Sequence, residues 1–147
     1  MAQPMSRAER ETFLREPRPA ILSIPQEGKG PLSSPVWFDF EEGGDFWILM
    51  QSDSRKGQLM QVGTCVSLCA QRETRPYIYV SVEGPVVAVA AYDADTDLLA
   101  MATRYLGEAG GAQYVETMRP KFANGRGIKV TIKPERWVSS DYSKSYQ

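Results

Sequence analysis

The chain has 147 residues, 42% apolar, 24% charged and 10% aromatic, which is the composition of one globular domain with its own core. Seventeen Lys and Arg against eighteen Asp and Glu leave a formal charge of −1, which argues against a bulk nucleic-acid binder. The histidine count is zero. That excludes Ser-His-Asp and Cys-His nucleophile pairs, His-ligated zinc or haem, and the usual near-neutral proton shuttle. If the protein is an enzyme, something it binds carries the chemistry.

Taken in chain order, Ser6-Arg7-Ala8-Glu9 is a capping box that opens a short helix bearing Phe13 and Leu14 and ending near Pro17. Ala20 to Ile24 reads as a strand, closed by the turn residues Pro25 to Pro31. Leu32 to Phe40 reads as a second strand, with Val36, Phe38 and Phe40 alternating against Trp37 and Asp39. Glu41 to Asp45 makes a hairpin connection, and Phe46 to Met50 returns as the third strand. Ser52-Asp53-Ser54 caps a short helix with Leu59 and Met60.

Thr64 to Ala70 is the next strand, and it carries Cys65 and Cys69. On a strand these thiols share a face about 13 Å apart at roughly 3.3 Å of rise per residue, too far for a disulfide. They read as core or half-buried thiols in a reducing compartment. Tyr77 to Val82 alternates strictly, Glu83-Gly84-Pro85 interrupts, and Val86 to Ala91 resumes the extended pattern. Asp93, Asp95 and Asp97 suit a helix N-terminus, Leu98 to Leu106 carries an apolar stripe, and Gly107 suits a C-cap. A second helix is expected over Ala112 to Met118, and Ile128 to Ile132 forms the last strand. The polar segment 139–147 reads as a flexible tail, and the whole of 1–147 as a single domain.

Met1 to Ser6 holds no apolar signal segment, and the apolar run Val86 to Ala91 is too short to span a bilayer, so a cytoplasmic, membrane-free protein is expected. No GxGxxG follows a strand and no P-loop motif is present. No metal site is expected. Six or seven short strands joined by tight turns favour a small antiparallel β-barrel with appended helices.

The segment Ser52 to Lys56 combines hydroxyls, a helix start and two cations directly after an apolar strand; it reads as a capped surface helix with two solvated basic residues, or as a phosphate cradle. A second basic stretch, Arg119, Lys121, Arg126 and Lys129, has no acid between Arg119 and Lys133. It reads as a solvated loop and strand edge, or as a groove for an anionic tail.

Four segments in order carry a family likeness: Ala20 to Ile24, Gly30 to Phe38, Ser54-Arg55-Lys56 after a strand, and Tyr79 to Val86. Together they resemble the pyridoxamine 5'-phosphate oxidase-like proteins, and within them the flavin/deazaflavin oxidoreductase branch. The resemblance implies a mainly β, FMN-binding-like split β-barrel that forms a homodimer and binds its cofactor at the subunit interface. By position, Ser34, Pro35 and Val36 would run beside the cofactor ring and Met50, Gln51 and Ser52 along its other edge. Arg55 and Lys56 would hold the phosphate, and Gln71, Tyr77 and Tyr79 would approach from a neighbouring strand. The missing histidine disfavours the vitamin-synthesising oxidases and haem-handling relatives. The expected activity is hydride transfer between coenzyme F420 and a small organic acceptor, with FMN as the alternative cofactor. A non-catalytic flavin- or F420-binding protein is the rival reading.

Overall fold

The computed structural model describes residues 4–146. Helix α1 (Arg7–Arg15) begins with reciprocal bonds. Ser6 Oγ accepts the Glu9 amide at 3.2 Å, and the Glu9 carboxylate accepts the Ser6 amide at 2.9 Å. The helix buries Phe13 and Leu14 and stops at Glu16, before two closely spaced prolines. Strand β1 (Ala20–Ile24) turns Ala20, Leu22 and Ile24 inward and Ile21 outward. It pairs antiparallel with β2 (Leu32–Val36).

The single strand expected over Leu32 to Phe40 is two. β2 stops at Val36, and β3 is only Asp39–Phe40. The Phe38 backbone between them leaves the sheet for side chains of a later helix. Its amide donates to the Tyr105 hydroxyl at 3.1 Å, and its carbonyl accepts Arg104 Nε at 2.9 Å. Residues 41–45 turn the chain into β4 (Phe46–Gln51), where Phe46, Trp47 and Ile48 are all buried because both faces of the strand are covered. The short helix α2 (Arg55–Leu59) follows, then β5 (Cys65–Arg72). Both cysteines are free, and Cys65 is exposed, where a core or half-buried thiol was expected.

Glu83-Gly84-Pro85 does not break the next strand. β6 runs unbroken from Ile78 to Ala91, and its partners change instead. Its first half lies between β5 and the late strand β8 (Arg136–Asp141); its second half pairs with β7 (Gly127–Ile132). At the handover the Lys133 amide donates to Pro85 O at 3.0 Å and the Glu135 amide to Glu83 O at 2.9 Å. A Cβ on Gly84 would sit 1.7 Å from Lys133 O, so glycine is required there by close approach.

A wide turn over Ala94–Leu98, capped by the Asp93 carboxylate, leads into α3 (Leu99–Met118). Gly107, with φ 80° and ψ 175°, breaks α3 into residues 99–106 and 108–118, so the second segment starts four residues before the sequence expectation. The sheet order is β2-β1-β5-β6-β7-β4-β3, with β8 beside β6 and every pair antiparallel. Inward side chains from these strands, including Leu22, Ile48, Val80 and Val130, form one core cluster.

Within the described residues the polar tail carries regular structure. β8 occupies 136–141, and a short 3-10 helix follows over Tyr142–Tyr146; Gln147 lies outside the described residues. The Met5 amide donates to Ser139 Oγ at 3.0 Å, the Tyr142 amide to Tyr77 O at 2.9 Å, and Lys144 Nζ lies 2.8 Å from the Glu9 carboxylate. Polarity here reflects a strand with a wet outer face. No described helix is long and apolar enough to cross a membrane.

Candidate functional site

The N-terminal half of α3 is bound firmly to the rest of the fold. Arg104 donates to the carbonyls of Leu14 (2.7 Å), Arg15 (3.1 Å) and Phe38 (2.9 Å). The Tyr105 hydroxyl accepts the Phe38 amide and faces Arg18 O at 2.9 Å. These bonds hold the Tyr105 ring flat against Trp37, with centroids 4.7 Å apart and planes 5° apart. Tyr114, from the second half of α3, packs tilted against Trp37, with centroids 5.4 Å apart.

This aromatic wall bounds a cavity of about 160 Å³ lined by Pro35, Val36, Trp37, Leu49, Lys56, Leu98, Met101, Tyr114 and Phe122. Lys56 is its only charged lining residue and, among the described residues, makes neither an ion pair nor a side-chain hydrogen bond. Arg55, its neighbour, is exposed and donates to Gln26 Oε1 at 2.9 Å.

The chain reaches this geometry through the turn after β4. Ser54 Oγ accepts the Gly57 amide at 3.0 Å and donates to Gln51 O at 2.6 Å, so the capping hydroxyl and one amide of the expected cradle are already engaged. A Cβ on Gly57 would lie 2.2 Å from Gln51 O; the glycine lets α2 close against the strand end and so places Lys56 at the cavity.

The expected residues therefore divide. Pro35, Val36 and Lys56 share the cavity. Pro35 also borders a neighbouring groove of about 440 Å³ with Ile21, Cys69, Gln71, Arg18 and Arg72. Burial pushes the Cys69 thiol up from its ordinary pKa there. Gln71 stands opposite Tyr79 in the β5–β6 register; Tyr79 is half-buried, and Tyr77 is exposed just before β6. Met50 turns into the core at 6% exposure, and the Ser34 hydroxyl is buried without a partner. Gln51 and Ser52 are half-buried, and the Ser52 amide donates to Arg126 O at 2.7 Å.

The basic stretch is partly neutralised, by the helix neighbour Glu116 and by two acids distant in sequence, Asp95 and Asp97. Arg119 pairs with Asp95 at 2.8 Å and Glu116 at 2.9 Å, and Lys129 pairs with Asp97 at 3.3 Å while lying over the Trp47 ring. Hydrogen bonds and charge from Arg119 lower the Asp95 pKa. Lys121 and Arg126 make no ion pair among the described residues, and the Arg126 backbone adjoins the turn that carries Lys56. The residues that sequence reasoning missed are Trp37, Tyr114 and Phe122. Trp37 is visible in the sequence as the outward member of an alternating pair, but nothing local announces which ring covers it. No group of three or more His, Cys, Asp or Glu among the described residues is placed to hold a metal ion.

No protein-family model matches the chain, and no curated protein matches it. Solved structures do. A conserved hypothetical protein from Mycobacterium tuberculosis aligns with a TM-score of 0.76 at 21% identity, over 97% of this chain and 89% of that one. An F420 reductase aligns at 0.68 and 17% identity, over 87% and 94%. A proposed pyridoxamine 5'-phosphate oxidase from Listeria innocua aligns at 0.62 and 10%, over 90% and 96%. The fold is the split β-barrel of the pyridoxamine 5'-phosphate oxidase-like proteins.

Proposed function

We propose that this chain binds a phosphate-bearing flavin-type cofactor, coenzyme F420 ahead of FMN, and serves hydride transfer to a small organic acceptor. The observation that carries the reading is Lys56, an uncompensated cation at the edge of an aromatic-walled apolar cavity. Lys56, with Arg55 beside it, would hold the phosphate; Pro35, Val36 and Trp37 would lie along the ring. When bound, such a cofactor supplies the hydride chemistry, and the protein supplies orientation and the exclusion of water. Arg126, next to the same turn and without an acid partner among the described residues, favours a ligand with further negative charge, as in the oligoglutamate tail of F420.

The same reading includes a homodimer. Pro35, Ile21, Cys69, Ser81 and Val138 stand opposite one another in register across β2, β1, β5, β6 and β8. Ile21 is 43% and Val138 60% exposed, so this sheet face carries large apolar groups in solvent. A second copy covering it would also close the Gln71 groove from above.

The test is purification from a host lacking F420, followed by titration with F420 and with FMN and by mixing the reduced complex with a quinone. F420 binding followed by reoxidation supports the reading. FMN retention without F420 binding overturns the cofactor choice, and binding without reoxidation makes the chain a carrier.

A further inference from the structure

We propose that residues 108–122 form a lid over the Lys56 cavity, hinged at Gly107 and latched by Arg119 on Asp95; this rests on the cofactor reading above. The cavity measures about 160 Å³, whereas pockets for small molecules usually span roughly 300–1,000 Å³. Two of the groups that line it, Tyr114 and Phe122, belong to this segment. Outward movement of these two side chains would enlarge the cavity towards the size a tricyclic ring occupies.

The fold is organised for that movement. Residues 99–106 bury Met101 and Ala102 and carry the Arg104 and Tyr105 bonds to three other parts of the chain. Beyond the break, residues 108–118 bury only Gly111 and Val115; their side-chain hydrogen bonds are all local, and their described contact with a distant ring is Tyr114 on Trp37. Gly107 has a backbone conformation open essentially to glycine alone, which interrupts the helix between the two segments, and the second segment rests on the first where Gly111 meets the Thr103 backbone. At the far end Asn124 and Gly125 both have positive φ, at 61° and 76°, so the segment is bounded by special backbone on both sides.

Arg119 closes the lid over the turn before α3 through Asp95 at 2.8 Å, a pair exposed to solvent on both sides. Beneath it, the Tyr92 ring meets Phe122 edge-on at 5.4 Å, and the Tyr92 hydroxyl is buried without a hydrogen-bond partner. Lids of this kind are drawn from the less stable parts of a fold.

Hydrogen exchange on the whole protein tests the proposal, free and saturated with F420 or FMN. In the free protein, amides of 108–118 are expected to exchange about tenfold faster than those of 99–106. Bound cofactor should slow them by a similar factor. Asp95→Asn should speed exchange in 108–118 by about 1.4- to fivefold, the range for losing an exposed ion pair, and raise the cofactor association rate. Equal exchange in the two halves of α3, or no response of 108–118 to Asp95→Asn, overturns the lid. Failure of both cofactors to bind, with the free-protein exchange pattern intact, overturns the cofactor reading instead.

Discussion

Replacing Lys56 by alanine separates the two cations that a sequence treats as equivalent. Lys56 borders the cavity and has no acid or hydrogen-bond partner among the described residues, so its charge is available to a phosphate. A charge-assisted hydrogen bond at such a position contributes about 1.5–3 kcal/mol. At about 1.4 kcal/mol per factor of ten, Lys56→Ala should weaken F420 or FMN binding roughly ten- to a hundredfold. Arg55 is exposed and already bonded to Gln26 at 2.9 Å. Its contribution is that of a screened surface charge, about 0.2–1 kcal/mol, so Arg55→Ala should cost at most about fivefold. Fluorescence titration at two salt concentrations measures both, with thermal melting as the check on folding. Both variants should melt like the wild type, and the Lys56 contribution should be the less sensitive to salt. Binding unchanged by Lys56→Ala, or a larger loss from Arg55→Ala, refutes the assignment of the phosphate to Lys56.

Three further outcomes follow from other parts of the fold. Gly84→Ala forces a Cβ to within 1.7 Å of Lys133 O, where backbone on both sides resists, and should cost about 3 kcal/mol or more in urea unfolding. A dimer held by the outer sheet face should dissociate in the double variant Ile21→Glu, Val138→Glu, read by sedimentation velocity; an unchanged sedimentation coefficient removes that face from consideration. The third outcome concerns acid. Glu9 is held at about 2, below the ordinary 4.5, first by Lys144 and then by the Ser6 backbone and side chain. A depressed carboxyl stabilises the folded state above about 4.5 and loses that contribution as pH falls towards 2. Amides in residues 7–15 should therefore lose protection over that interval, and Glu9→Gln should flatten the change.

Periodicity and capping chemistry are local, and what depends on them is legible in the sequence. The Ser6–Glu9 box, the alternation of Ala20 to Ile24, the Ser54 cap and the antiparallel barrel class all follow from residues within a few positions of each other. The likeness carried by the segments from Ala20 to Val86 agrees with the fold of the structural neighbours. Pro35, Val36 and Lys56 stand out locally in the sequence as candidates, and the structure brings these three to one cavity.

What the tertiary structure decided is which group meets which across long stretches of chain. Leu32 to Phe40 could not announce its own break, because the cause is Arg104 and Tyr105, more than sixty residues away. Glu83-Gly84-Pro85 looks like an interruption because glycine and proline are local signals. The strand continues because Lys133 and Glu135 arrive to bond it. Lys129 looks free in the sequence and Arg119 has only Glu116 nearby, and only folding brings Asp97 and Asp95 to them. Length, composition and a −1 charge bounded the class of protein; contacts between distant segments chose the cavity and left Lys56 as its unpaired charge.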